Sequence, residues 1–280
     1  MTFMCSQGCV QTTHIARLFE FKPGKTLDKV RLTTQLCYEV GSCAGRMDNI
    51  LKTFPTTEGV AGSLRNSWDL CELPGLRGSI DVITSPEQRA LVEEVLDQFE
   101  ACLARDAPSF SRGHIHGDLN ECNILVEESK SSASAKIYDE QNAQNDVRKQ
   151  QLSARVEHHV CAIIDFGDAT HGPYVFEVAI AMAYAMLNTH GVPPMDAARA
   201  VLAGYLQHVT LSHAELGNIR LCVCARFAQS LIMGRIAFSR EPENEYILRH
   251  AGRIWPVLKH LWQTPNTQVL KEILNTNQGA

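Results

Sequence analysis

Two short stretches of this 280-residue chain carry residue types that can do chemistry together. The first is His116-Gly117-Asp118-Leu119-Asn120-Glu121-Cys122-Asn123-Ile124-Leu125-Val126, and the second is Val160-Cys161-Ala162-Ile163-Ile164-Asp165-Phe166-Gly167-Asp168. Moving a phosphoryl group from a nucleotide to a hydroxyl needs a carboxylate beside the acceptor oxygen. It also needs oxygen ligands for the magnesium ions that neutralise the phosphates. Asp118 fits the first role. Asn123, five residues on, can turn back from a wide bend to ligate a metal, and Asp165 can reach the same ions from the end of the second stretch. Gly167 permits the backbone reversal after Phe166. Either stretch alone occurs by chance in many chains; their order, each attached to an apolar strand, is what joins them.

The elements that must position these residues follow from pattern. Residues 124–126 form a buried strand and residues 160–164 its partner. Residues 127–157, rich in Ser, Lys, Gln and Asn, bury too little to offset the entropy of ordering. They are expected to form an expanded, exposed hairpin loop, partly helical between 144 and 157, and a tolerated insertion before any regulatory role. Thr33 or Thr34 caps a helix whose apolar stripe is Leu36, Val40, Ala44, Met47 and Leu51. Ser85-Pro86-Glu87 starts another, with a hydroxyl cap, proline in the first turn and an acid at the positive end of the dipole. Its buried face is Leu91, Val92, Val95, Leu96, Phe99 and Leu103, and it delivers the chain to the first motif.

Residues 54–78 read as a loop with Trp68-Asp69-Leu70 as its apolar anchor, and residues 15–21 as one strand followed by a Pro23-Gly24 turn. Residues 174–187 form a helix too short for a membrane and apolar enough to be buried. Glu177 inside it needs a partner; an arginine of the core, Arg226 or Arg235, is preferred over substrate contact. Residues 196–206, 219–238 and 246–262 supply three more helices, and the chain after Pro265 is expected to fray.

His116-Gly-Asp, where protein kinases carry His-Arg-Asp, resembles the aminoglycoside phosphotransferase family, whose members phosphorylate small-molecule hydroxyls. Asn123-Ile-Leu, and Ile164-Asp-Phe-Gly-Asp168 running on to Gly172-Pro-Tyr-Val-Phe-Glu-Val-Ala179, are most similar to the branch of that family acting on 5-hydroxylysine. The resemblance runs from about residue 15 to the C-terminal helices. It implies an α+β, mostly α fold: a protein-kinase-like C-terminal lobe with a small β-hairpin and an N-terminal β-lobe that is largely absent. It also implies the roles: Asp118 catalytic, Asn123 and Asp165 holding Mg²⁺ and with it the nucleotide, His116 buttressing the loop. The donor would be GTP or ATP and the acceptor 5-hydroxylysine or a similar amino alcohol.

The family normally begins with a glycine-rich phosphate loop, a strand lysine and a helix glutamate, and none is visible here. Gly24-Lys25-Thr26 imitates the end of a phosphate loop, but Phe19 stands where its leading glycine belongs. The expected organisation is a remnant of the N-terminal lobe and hinge over 1–25, the helical lobe over 26–265 and a tail over 266–280. A missing lobe would leave an apolar floor open to self-association, and a catalytically impaired binding or regulatory form is the alternative to an enzyme.

Composition bounds the rest. A net charge of -5 gives no support to nucleic-acid binding. None of Cys5, Cys9, Cys37, Cys43, Cys71, Cys102, Cys122, Cys161, Cys222 and Cys224 stands in a Cys-x-x-Cys pair, which favours reduced thiols and a cytoplasmic setting. Cys122 has Asp118, Glu121 and Asp165 as neighbours, the wrong sign for a nucleophile. His114 and His116 lack a third zinc ligand at a recognised spacing. Residues 1–13 lack the basic flank and apolar run of a signal peptide, and no stretch of about 18 uninterrupted apolar residues marks a membrane span.

Overall fold

Thr33 sets the first long helix: its hydroxyl accepts from Leu36 N at 3.1 Å, and α1 then runs Thr34–Leu51. The computed structural model describes residues 2–7, 10–15, 18–54, 67–129, 157–188, 191–240 and 245–274. Ser85 caps α2, Pro86–Arg105, which buries Val92, Val95, Leu96 and Phe99. The apolar run forms α3, Tyr174–Leu187, buried at every position but Tyr184. Then come α4, Pro194–Tyr205; α5, His213–Arg240; α6, Glu245–Gln263; and α7, Asn266–Leu274. By length and composition α5 could cross a membrane, but it packs against α2, α3 and α6. Val269 and Ile273 of α7 are buried, so residues 266–274 are a docked helix in place of the expected frayed end.

The strands are short. β1, Thr2–Gln7, pairs antiparallel with β2, Val10–Ile15. β3, Lys25–Thr26, adds to a three-stranded sheet in the order β3, β5, β6. β4, Arg112–Ile115, pairs with β7, Thr170–Pro173, and β5, Ile124–Glu128, with β6, His158–Ile163. Ile124 stands opposite Ile163, the pairing expected from the two motifs, and Ser129 N extends the ladder to Glu157 O at 2.7 Å. Residues 130–156, on which the partly helical insertion was expected, lie outside the described residues.

Two expectations near the start need correction. The single strand over 15–21 is not formed: β2 ends at Ile15, and residues 18–24 carry no strand, with Phe19 and Phe21 exposed. Pro23-Gly24 is the approach to β3 and not a turn; a Cβ on Gly24 would touch Leu125, Val126 and Cys161 at 3.2 Å. The anchor at Trp68-Asp69-Leu70 does bury Leu70. From there Leu70–Val82 winds as 3-10 helix, started by Asp69, whose carboxylate accepts from Cys71 N at 2.9 Å.

α1 and α4 cross with their backbones in contact. A Cβ on Gly41 or Gly204 would enter the carbonyl of Val201 or Tyr38 on the facing helix, so both positions must lack one. Below the crossing sits Asp48, fully buried, its carboxyl pushed up to about 9 first by burial and then by the charge of Glu177. Tyr205 Oη lies 2.6 Å from Asp48 Oδ2 and 3.2 Å from Tyr174 O. One hydroxyl proton cannot serve both acceptors; a neutral Asp48 supplies the second proton, consistent with its raised pKa.

Candidate active site

The two motifs are locked to each other by backbone and imidazole. His116 Nε2 lies 2.9 Å from Ile164 O, and Ile164 N donates to Asn123 O at 2.9 Å. The β4–β7 pairing sets Ile115 opposite Thr170, bringing the start of one loop beside the end of the other. Gly117 bridges the gap at φ +78, where a side chain would be strained; a Cβ there would also stand 2.9 Å from Asp168 O.

Glu177 of α3 holds this loop from beneath. Its two carboxylate oxygens accept from His116 N at 2.9 Å and Gly117 N at 2.8 Å, so the expected arginine partner is replaced by two backbone N–H groups. Full burial raises its pKa, against the opposing pull of the Gly117 and His116 hydrogen bonds. An arginine was expected because burying a carboxylate usually calls for a cation. Two converging amides at the strand-to-loop turn serve instead, as they can for any acceptor-only group.

Asp118 is fixed at both oxygens. Oδ2 accepts from Asn120 Nδ2 at 2.7 Å and Asn123 Nδ2 at 3.0 Å, and Oδ1 from Arg226 Nη2 at 2.5 Å. Arg226 is therefore close to the first motif, but its partner is Asp118. Arg235, the other candidate for Glu177, is only partly buried on the same helix. Asn123 also donates to Asp118 O at 2.9 Å, so its amide nitrogen is committed to the loop and its carbonyl oxygen is the group available to a cation. Asp165 sits at φ 62, the one non-glycine residue with positive φ among the described residues, and its Oδ1 accepts from Gly167 N at 3.2 Å.

Asn123 Oδ1 and the Asp165 carboxylate could each offer oxygen to a hard cation such as Mg²⁺. Among the described residues no group of three His, Cys, Asp or Glu could hold a metal. An ion that keeps several waters and takes phosphate oxygens asks the protein for only one or two such groups. His114 packs edge-on to the His171 ring at 5.7 Å. Cys122 is exposed, and none of the eight described cysteines is in a disulfide.

Three features are not foreseen from the sequence: the Arg226–Asp118 pair, the Gln229 side chain that bonds Ser67 O at 3.0 Å and Asp69 O at 3.1 Å, and Asp48. Only Asp48 leaves a signal there, as a charged residue beside the apolar face of α1.

Residues 6–133 match the family described as "Phosphotransferase enzyme family", a match that starts ahead of residue 15. The described residues form a mostly helical fold with small sheets. It is 31% identical over 253 residues to a Mus musculus protein named "Hydroxylysine kinase", covering 90% of this chain and 61% of that one. The Bos taurus protein of the same name is 31% identical over 260 residues, covering 91% and 62%. The chain thus spans about three fifths of the length of these relatives. In fold it is similar to a microcompartment-associated aminopropanol kinase, with TM-score 0.58 and 20% identity over 90% of this chain and 70% of that one. A choline/ethanolamine kinase family protein from Mesorhizobium loti gives TM-score 0.55 and 11% identity over 97% and 76%.

Proposed function

We propose that the chain is a small-molecule kinase lobe that transfers the γ-phosphoryl of GTP or ATP to the hydroxyl of 5-hydroxy-L-lysine or a similar amino alcohol. The observation that carries this reading is Asp118 held by three donors in the loop whose Asn123 is bonded to the residue before Asp165. Asp118 orients the acceptor hydroxyl and takes its proton as the oxygen attacks the γ-phosphorus and the bond to the β-phosphate oxygen breaks. Asn123 and Asp165 are the residues that would hold magnesium. Bound there, the ion supplies charge neutralisation on the phosphates. His116 and Glu177 keep the loop in place, and general-base help of this kind is worth ~10²–10⁴ in rate. Residues 26–265, extended by α7, form the proposed lobe, with 1–25 as the remnant of the N-terminal lobe and hinge before it; described cysteines that stay out of disulfides support a cytoplasmic setting.

The test is nucleoside diphosphate release by the purified chain with Mg²⁺, GTP or ATP, and 5-hydroxylysine. Release that depends on the acceptor and is lost in Asp118→Asn supports the reading; no release from a well-folded chain overturns it.

One observation favours a second reading. Ile164 and Phe166 are 38% and 47% exposed beside Asp165, and a cavity of about 320 Å³ lined by Met47, Ile50, Leu51, Val160, Ile163 and Phe166 opens next to them. A binding or regulatory form would use this apolar face for association, including with another copy of the chain. Sedimentation that stays monomeric across concentration counts against self-association.

A further inference from the structure

Arg226 is one of the three donors on Asp118, yet the proposed reaction assigns it no role of its own. It is fully buried in a stretch of α5 whose neighbours Cys222, Val223, Ala225, Phe227 and Ala228 are all buried small or apolar residues. Burying a guanidinium is costly unless its partners compensate. Its Nη2 reaches Asp118 Oδ1 at 2.5 Å, and its Nη1 reaches Trp68 O at 3.1 Å and Gln229 Oε1 at 3.0 Å. The guanidinium lies 4.8 Å from the Trp68 ring and 5.4 Å from the Tyr184 ring. Its Nε has no hydrogen-bond partner among the described residues. A site shaped to satisfy the arginine would bond every buried N–H; this placement achieves a single charged contact at Asp118.

We infer that Arg226 is a positioning residue for phosphoryl transfer: from α5 it fixes the Asp118 carboxylate and, with Gln229, ties that carboxylate to residues 67–69. Asp118 Oδ2 is held from the loop side by Asn120 and Asn123, and Oδ1 from the helix side by Arg226, so the carboxylate cannot turn about its own axis. Gln229, one turn along α5, bonds the carbonyls of Ser67 and Asp69 while accepting from Arg226. The segment at 67–69 and the carboxylate are thereby set by one rigid helix. Lysine cannot copy this, because it is a point charge without the planar fork that reaches Asp118 and Trp68 together.

The inference rests on the proposed kinase reading, and its test separates the two. Arg226→Met and Arg226→Lys are compared with Arg220→Met, a control on the same helix whose guanidinium instead bonds Leu261 O and Asn266. Two readouts are taken: kcat and KM for nucleotide and acceptor, and hydrogen exchange of the amides of residues 67–71 and 117–123. Misplacing a catalytic group by about 1 Å can cost roughly 10²-fold in rate. Arg226→Met is expected to lower kcat by about that factor with nucleotide KM little changed, and Arg226→Lys to recover part of the loss. Exchange should rise in both segments in the Arg226 variants and in neither segment in Arg220→Met. Unchanged exchange there, an equal rise throughout the protein, or a kcat equal to wild type in Arg226→Met overturns the inference. If Arg226→Met does not fold, Arg226→Lys carries the same comparison. If the wild-type chain transfers no phosphoryl group, selective loosening of the two segments still supports the positioning role, and only the kinase reading fails.

Discussion

His116 Nε2 and Ile164 O lie 2.9 Å apart, and this contact joins two motifs that are 48 residues apart in the chain. The other ring nitrogen faces Asp118 N at 3.2 Å, so the backbone N–H of Asp118 donates to Nδ1 and the ring donates from Nε2 to the Ile164 carbonyl. The imidazole is a spacer with a fixed tautomer, and it sets how far the Asp118 loop stands from Asp165. His116→Ala removes two part-buried hydrogen bonds, from Asp118 N and to Ile164 O, each worth ~0.5–1.5 kcal/mol. The midpoint of urea unfolding should fall accordingly, and acceptor-dependent turnover should fall with it.

Glu177→Gln tests the backbone clamp. Glutamine offers one carbonyl oxygen where two N–H groups converge, and it points an NH₂ at the second. One buried donor is left unsatisfied, so the loss is again ~1–3 kcal/mol. An arginine partner would give a different outcome, since neutralising Glu177 would strand a cation and Arg226→Met would then compensate. The structure pairs Arg226 with Asp118, so the double variant should be no more stable than Glu177→Gln, as denaturation of all three proteins would show.

Asp48 gives the chain a pH dependence of defined sign. Its folded pKa of about 9 lies above the ordinary 3.8, so between those values the folded state holds a proton that the unfolded state has released. Stability from this group is fully present below the unfolded pKa and is lost as pH rises toward the folded one. The slope is about 1.4 kcal/mol per pH unit for a single proton. Asp48→Asn keeps a donor for Tyr205 and removes the titration. It should melt higher than wild type at pH 8, with the advantage shrinking at pH 5.

Gly41→Ala should disrupt the α1–α4 crossing, because the new methyl meets backbone and cannot be relieved by a side-chain rotation. Overpacking of this kind costs ~1–3 kcal/mol. Gly217→Ala, with nothing near the added carbon, is the matched control and should leave the thermal midpoint unchanged or raised.

Much of the helical frame is legible in the sequence, for reasons that particular residues make plain. Residues 174–187 are almost wholly apolar, Ser85-Pro86 starts α2 by local chemistry, and Ile124–Ile163 pairing follows from two apolar runs attached to the motifs. Local signals run out where partners are distant or backbone. Glu177 can be recognised as a charge needing a partner, but amides at a turn carry no sequence label. Arg226 and Asp118 are 108 residues apart, and helical periodicity places an arginine on a face without saying what meets it. β3 is two residues long, too short for an alternation to register. α7 has a signal that composition obscures: Pro265 starts the turn, and Val269 and Ile273 repeat at four-residue spacing within a polar segment.

The central claim is that Asp118, Asn123 and Asp165 carry phosphoryl transfer to an alcohol, and phosphorus NMR of the reaction tests it most directly. Wild-type chain incubated with Mg²⁺, GTP or ATP, and 5-hydroxylysine is compared with Asp118→Asn and Asp165→Asn, each first shown by circular dichroism to be folded. The account predicts a phosphomonoester resonance that appears with the loss of the γ-phosphate signal in wild type. In Asp118→Asn it should be reduced by ~10²-fold or more, and in Asp165→Asn it should be lost and not restored by saturating Mg²⁺. Equal formation of the phosphomonoester in Asp118→Asn, or its absence from folded wild type with every acceptor amino alcohol tried, would contradict the account.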